Sequence, residues 1–391
     1  MRRVRRWSLP VILGLVMIQI GAAQAHPDKA HLPGKVEMGS PEVIVPLTFF
    51  GNLPIVDVTI EGKGPYKFIL DTGAAGTVLS LSLVDELKLP VTGETVLGSP
   101  IGPGGSPAKM VRIQRLGIGA MTVSDLQVVA TDMGRLFGGS DAPVGVLSPG
   151  LAPGILATLD YPASRVVFRI GELPAADGVE LFEYGKDEEL PSVPLTVAGI
   201  DVTAHLDSGT AGGLTLPKSL IEKLPMASAP VEIGHARTVD RDFAVLGARL
   251  NGQIKLGRYS VDNPELRFVE AQDANVGFDL LRRFAVTLDA KNHRVRIEEP
   301  SALPVQASAP PRRYGIRLRL AEPGLIEVDG TDPGSPAERA GLRHGDKIVQ
   351  VNGTRSSQLS ASQLTENLRR PSVTLVVERD GKPLEIRMSL D

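Results

Sequence analysis

Cysteine is absent from all 391 residues. That excludes a disulfide framework, a thiol nucleophile and a lipoprotein anchor attached through Cys. Aromatic residues make up only 4% of the chain, while Gly occurs 42 times and Pro 31 times. Few bulky anchors and many turn formers favour short strands over long helices. An excess of charge of one sign is also lacking. With a formal net charge of -3, neither a nucleic-acid partner nor a basic membrane patch is expected. The six histidines are scattered without metal-ligand spacing, so neither a metal nor a cofactor is expected. Beyond the first 25 residues, no stretch is apolar for long enough to cross a bilayer.

The first residues are informative. Arg2, Arg3, Arg5 and Arg6 form a positive region, Leu9 to Ala22 an apolar one, and Ala23-Gln24-Ala25 a small-residue cleavage site. This is the pattern of a signal peptide over residues 1–25. Export without any disulfide fits a bacterial periplasm better than a eukaryotic extracellular space, with membrane contact only through an uncleaved signal segment.

The strongest signal is internal self-similarity. Tyr66-Lys-Phe-Ile-Leu-Asp71-Thr72-Gly73 is matched by Val202-Thr-Ala-His-Leu-Asp207-Ser208-Gly209. Each copy continues into a short amphipathic stretch ending in Leu-Pro, at Leu89-Pro90 and Leu224-Pro225. Each then reaches an apolar-apolar-Gly element, Pro143-Val144-Gly145 and Asn275-Val276-Gly277, and closes with Leu-Asp, at Leu159-Asp160 and Leu288-Asp289. One Asp-(Ser/Thr)-Gly triplet is ordinary turn chemistry. Two in matched surroundings point to two similar lobes about a pseudo-twofold axis, which would bring equivalent residues together. Val56 to Ile60 alternates polar and apolar residues, Glu61 to Gly64 reads as a turn, and Tyr66 to Leu70 reads as a strand. Each Asp is therefore expected where a strand ends and the chain turns sharply.

These motifs resemble the pepsin and retropepsin superfamily of aspartic proteases, over residues 40 to 300. The resemblance implies a mainly β fold with two pepsin-like barrel lobes, residues 40–170 and 171–299. It implies catalysis by Asp71 and Asp207, with Thr72 and Ser208 bonding across the lobe interface and Gly73 and Gly209 presenting backbone N–H groups to the carboxylates. Carboxyls a few ångströms apart share one proton, so one can activate a water while the other polarises the scissile carbonyl. A flap is expected over Gly98 to Pro107, without the tyrosine that pepsins carry there. His205 reads as a packed strand residue, and Lys186 to Glu189 as a solvated charge cluster.

Residues 300–313, rich in Pro, Ala and Ser, read as a linker. Residues 314–391 resemble a PDZ domain of the bacterial type. Ser335-Pro336 should cap a short helix that Gly341 ends, Lys347 to Val351 should form a strand, and Leu359 to Leu368 a second helix. By that resemblance Tyr314, Gly315 and Ile316 form the peptide-binding turn and strand, although they depart from the familiar Gly-Leu-Gly-Phe pattern. The reading is an aspartic endopeptidase acting on exported or periplasmic proteins, its partners being a protein or peptide substrate and a peptide at the PDZ groove. The alternative is a non-catalytic peptide-binding scaffold.

Overall fold

The computed structural model describes residues 34–390 apart from 99–104, 135, 138–141, 152, 186–189, 239–241, 300–313, 323–324, 332–334, 360–362, 365–366 and 369. The expected signal peptide, the linker, the 186–189 cluster and the tip of the expected flap lie outside the described residues. The fold is mainly β. The chain divides into two compact units, with the division between Ser301 and Ala302.

In the larger unit, Leu53–Ile60 and Lys63–Leu70 form a hairpin. Its two-residue turn, Glu61 and Gly62, has positive φ at both positions (50° and 74°), the geometry that matches the twist of paired strands. The hairpin belongs to a nine-stranded sheet. At the sheet's centre Gly145–Leu147 runs parallel to Lys63–Leu70 and antiparallel to Val78–Ser80. The run Phe68-Ile69-Leu70 is fully buried, as a strand covered on both faces must be. Ser80 caps the short helix Leu81–Leu87, accepting a hydrogen bond from the Leu83 N–H.

A second nine-stranded sheet repeats the central arrangement. Ala274–Val276 runs parallel to Ile200–Leu206 and antiparallel to Leu214–Pro217. The stretch after Leu214–Pro217 is a 3-10 helix, Lys218–Lys223, where the first copy has its α-helix. A six-stranded sheet takes strands from both halves of the unit. Ile155–Asp160 pairs antiparallel with Ala285–Asp289, and the Thr158 and Thr287 hydroxyls meet at 2.9 Å. One continuous apolar cluster includes residues of both halves, among them Leu70, Leu159, Leu206 and Leu288.

The repeat differs from its sequence alignment in one respect. The Asp71 N–H donates to the Leu147 carbonyl, and the Asp207 N–H to that of Val276. Leu147 therefore corresponds to Val276, Val146 to Asn275, and Ser148 to Gly277. Gly145 and Gly277 are not equivalent. The two glycines answer different constraints: a Cβ on Gly145 would lie 2.1 Å from the Phe68 ring, and one on Gly277 would lie 2.6 Å from the Thr210 and Gly212 carbonyls. Short apolar runs containing Gly align equally well at several offsets, and only the hydrogen-bond register chooses among them.

The smaller unit is a five-strand path, Ile316–Glu322, Leu325–Thr331, Lys347–Val351, Ser372–Arg379 and Lys382–Ser389, with Thr354–Arg355 beside the third. Ser335 caps the helix Pro336–Arg339, and Gly341 follows with φ 81°. The Asp346 carboxylate is buried and bonds the Arg379 guanidinium at 2.6 and 2.7 Å. Within 359–368, the Leu368 N–H donates to the Leu364 carbonyl, the spacing of an α-helical turn.

Candidate active site

Asp71 and Asp207 each follow the buried last residue of a strand, Leu70 and Leu206. Both carboxyls are fully buried, and the two turns that carry them are in direct contact. The contact is reciprocal. The Thr72 N–H donates to Ser208 Oγ at 2.8 Å, and the Ser208 N–H to Thr72 Oγ1 at 3.0 Å. Thr72 Oγ1 donates to the Leu206 carbonyl at 2.5 Å, and Ser208 Oγ to the Leu70 carbonyl at 2.7 Å. Each hydroxyl is donor and acceptor at once, so the four bonds tie together residues 136 positions apart with no unpaired group in the pattern.

The glycines account for how closely the turns approach. A Cβ built on Gly73 would lie 2.7 Å from the Asp207 carboxyl, and one on Gly209 would lie 2.5 Å from Asp71 Oδ2. Neither has a positive φ, so what they provide here is space. They also supply donors, because the N–H groups of Gly73 and Gly209 both point at Asp71 Oδ1, at 2.8 and 3.1 Å. Asp207 Oδ2 instead accepts from side chains, Thr210 Oγ1 at 2.8 Å and Asn275 Nδ2 at 2.9 Å. Asp71 Oδ2 and Asp207 Oδ1 are buried and accept no hydrogen bond from a described residue.

Burial and the neighbouring Asp207 charge push the Asp71 carboxyl well above the usual carboxylate range, against the pull of the two glycine N–H groups. Burial also raises Asp207, and the Thr210 hydroxyl, the Asp71 side chain and the Gly209 N–H hold it back. Two coupled, buried carboxyls of this kind favour holding a proton between them over ionising together.

All six residues expected from the duplicated triplets, Asp71, Thr72, Gly73, Asp207, Ser208 and Gly209, thus meet at one place. Sequence reasoning missed Thr210, Asn275 and Tyr161. Asn275 left a readable trace as a lone amide in the apolar-apolar-Gly element. Tyr161 left none; its phenol is pushed up by burial, with smaller contributions from the Asp71 and Asp207 charges. His205 is only partly packed, and its Nε2 lies 3.8 Å from Asp273 Oδ2. Gly98 and Gly105 are paired in an antiparallel hairpin, Val91–Gly98 with Gly105–Ile118, so the expected flap has its two arms.

The expected peptide-binding residues of the smaller unit divide. The Tyr314 side chain is buried and its hydroxyl donates to the Arg370 carbonyl at 2.8 Å, while its own carbonyl accepts from the Ala337 N–H. It belongs to the packing of the domain and is not a ligand-facing side chain. Gly315 has φ 69°, and Ile316 opens the strand that ends the sheet path.

Residues 56–148 match the family model of an aspartyl protease, and residues 327–379 match that of a PDZ domain. Over 61 residues, 15% of this chain, the sequence is 39% identical to the Na(+)/H(+) exchange regulatory cofactor NHE-RF1 of Gallus gallus. The matched segment spans 18% of that protein's length. The chain therefore carries an aspartyl protease domain, which contains Asp71, and a PDZ domain. Asp207 lies outside both matched stretches.

Proposed function

We propose that the chain is an aspartic endopeptidase in which Asp71 and Asp207 form the catalytic pair, and that it acts on exported or periplasmic proteins with the PDZ domain assisting recognition. What carries the reading is the meeting of two buried carboxyls on turns tied together by the Thr72 and Ser208 hydroxyls. The corresponding bonds made by Asp71 and Asp207 to Leu147 and Val276 support two related lobes facing each other across the pair.

In this reading the ionised carboxyl takes a proton from a bound water, and the water oxygen attacks the carbonyl carbon of the peptide bond. The protonated carboxyl gives its proton to the carbonyl oxygen, producing a neutral tetrahedral diol. Collapse restores the C=O bond and breaks the C–N bond. The leaving nitrogen takes the proton of the protonated carboxyl while the diol hydroxyl that becomes the C=O gives its own to the ionised one, so the pair ends singly protonated again. Burial keeps the two carboxyls from ionising together. Thr72, Gly73, Ser208 and Gly209 hold them in place before substrate arrives, which is where much of the catalytic advantage lies.

The PDZ match supports peptide docking along the Ile316–Glu322 strand, whose described pairing is on one side only. A peptide added there would extend the sheet, with Gly315 and Ile316 near its terminus. Export rests on the Arg-rich, apolar and small-residue pattern of residues 1–25.

The test is cleavage of an unfolded protein pool by the purified full chain, compared with Asp71→Asn and Asp207→Asn. Each substitution should abolish cleavage, and a fully active single mutant would remove the pair from the chemistry. A folded, inactive wild type that still binds peptides would point instead to a non-catalytic scaffold.

A further inference from the structure

The two carboxyls occupy equivalent places, yet their surroundings are not equivalent. Asp207 Oδ2 accepts two side-chain hydrogen bonds, from Thr210 Oγ1 and Asn275 Nδ2. The positions corresponding to these donors beside Asp71 are Ala74 and Val146, both buried in an apolar cluster with Leu53, Ile69 and Val129. Asp71 is left with backbone donors on Oδ1 alone. Asn275 is the less expected of the two side-chain donors. It sits in the middle of a three-residue strand buried at every position, where an amide costs free energy unless bonded.

We propose that Asn275 is a positioning residue that makes the pair polar in one direction, with Asp207 the ionised member that takes the proton from water and Asp71 the member that holds the shared proton. This deepens the proposed peptidase reading and rests on it. A donor to a carboxylate stabilises its charged form. Asp71 takes its two from the backbone on Oδ1, whereas the Thr210 hydroxyl and the Asn275 amide put side-chain donors on Asp207 Oδ2 where the other copy has apolar residues. This difference breaks the symmetry. At Asp207 burial is offset by the Thr210 hydroxyl, whereas at Asp71 burial and the Asp207 charge prevail over the Gly73 and Gly209 N–H groups. The other titratable groups acting on the site are His205, whose charge favours ionised Asp207, and Tyr161, which acts on both carboxyls. His205 is the ladder partner of Asn275, so the Asn275→Val titration is read together with the wild-type order and with Val146→Asn, which leaves both residues unchanged.

The experiment is a carbon-13 titration of the full chain labelled at the aspartate carboxyl, with Asp71→Asn and Asp207→Asn used to assign the two signals. In the wild type the Asp207 signal should ionise first. In Asn275→Val, which installs the residue found at 146, that first ionisation should rise by about one pH unit, the loss of one hydrogen bond to a charged group. The acid limb of the kcat/KM profile should move up with it. Val146→Asn, which offers Asp71 the missing donor, should bring the two ionisations closer together. Asp71 ionising first, or a folded Asn275→Val with unmoved ionisation, overturns the inference. If Asn275→Val does not fold, the wild-type order and Val146→Asn still decide it. A wild type in which Asp207 ionises first but no peptide is cleaved would sink the peptidase reading and leave the inference standing.

Discussion

Replacing Ser208 by Ala removes one hydroxyl and strands two buried groups, the Thr72 N–H and the Leu70 carbonyl, which it serves at 2.8 and 2.7 Å. Replacing Thr72 by Val, nearly the same shape, strands the Ser208 N–H and the Leu206 carbonyl. Each stranded group costs about 1–3 kcal/mol. Two stranded groups, each taken in the lower half of that range, place each single substitution at about 3 kcal/mol. For a domain of this order that corresponds to a Tm lowered by about 6–12 °C. Once one hydroxyl is gone the turns can part, so the double variant should cost less than the sum by about 0.5–3 kcal/mol. Urea unfolding of the four proteins, read by the larger unit's signal, gives the cycle. Single costs below about 1 kcal/mol that add within about 0.3 kcal/mol would show that the reciprocal bonds do not hold the turns together.

Two further outcomes follow from the same turns. Gly209→Ala places a methyl group 2.5 Å from Asp71 Oδ2, so the carboxyls must separate; cleavage should fall about 100-fold while the protein stays folded, and wild-type turnover would contradict the close approach. Asp71 carries a raised pKa, so its contribution to stability is complete below the ordinary carboxylate pKa and is lost as pH rises through the folded value. Asp71→Asn should therefore become more stable relative to wild type as pH rises above the ordinary carboxylate range, and Tm measurements showing the opposite slope would mean that the carboxyl is not held protonated.

Much of the site was legible in the chain because turn chemistry is local. The two Asp-(Ser/Thr)-Gly triplets announced both the carboxylates and the hydroxyls beside them, and the Glu61-Gly62 turn and the Ser335 cap appear where residue preferences put them. The PDZ strand Lys347–Val351 was equally readable, since its start follows a Gly-Asp turn. The errors were of another kind. Gly145 was matched to Gly277, although the bonds from the Asp71 and Asp207 N–H groups pair Leu147 with Val276, and no residue type foretold that the Tyr314 hydroxyl bonds the Arg370 carbonyl. Register and side-chain direction depend on partners far away in sequence.

By itself the sequence determined that two acidic turns exist, that each begins where a strand ends, and that a PDZ domain follows. The tertiary structure decided that the turns meet, that the Gly73 and Gly209 positions leave room for the opposite carboxyl, and that Asp207 accepts from two side-chain donors whose corresponding positions in the other copy hold Ala74 and Val146. The physical reason is range. Backbone preference acts over a few residues, whereas the protonation of a buried carboxyl depends on whatever dipoles the fold brings within hydrogen-bonding distance.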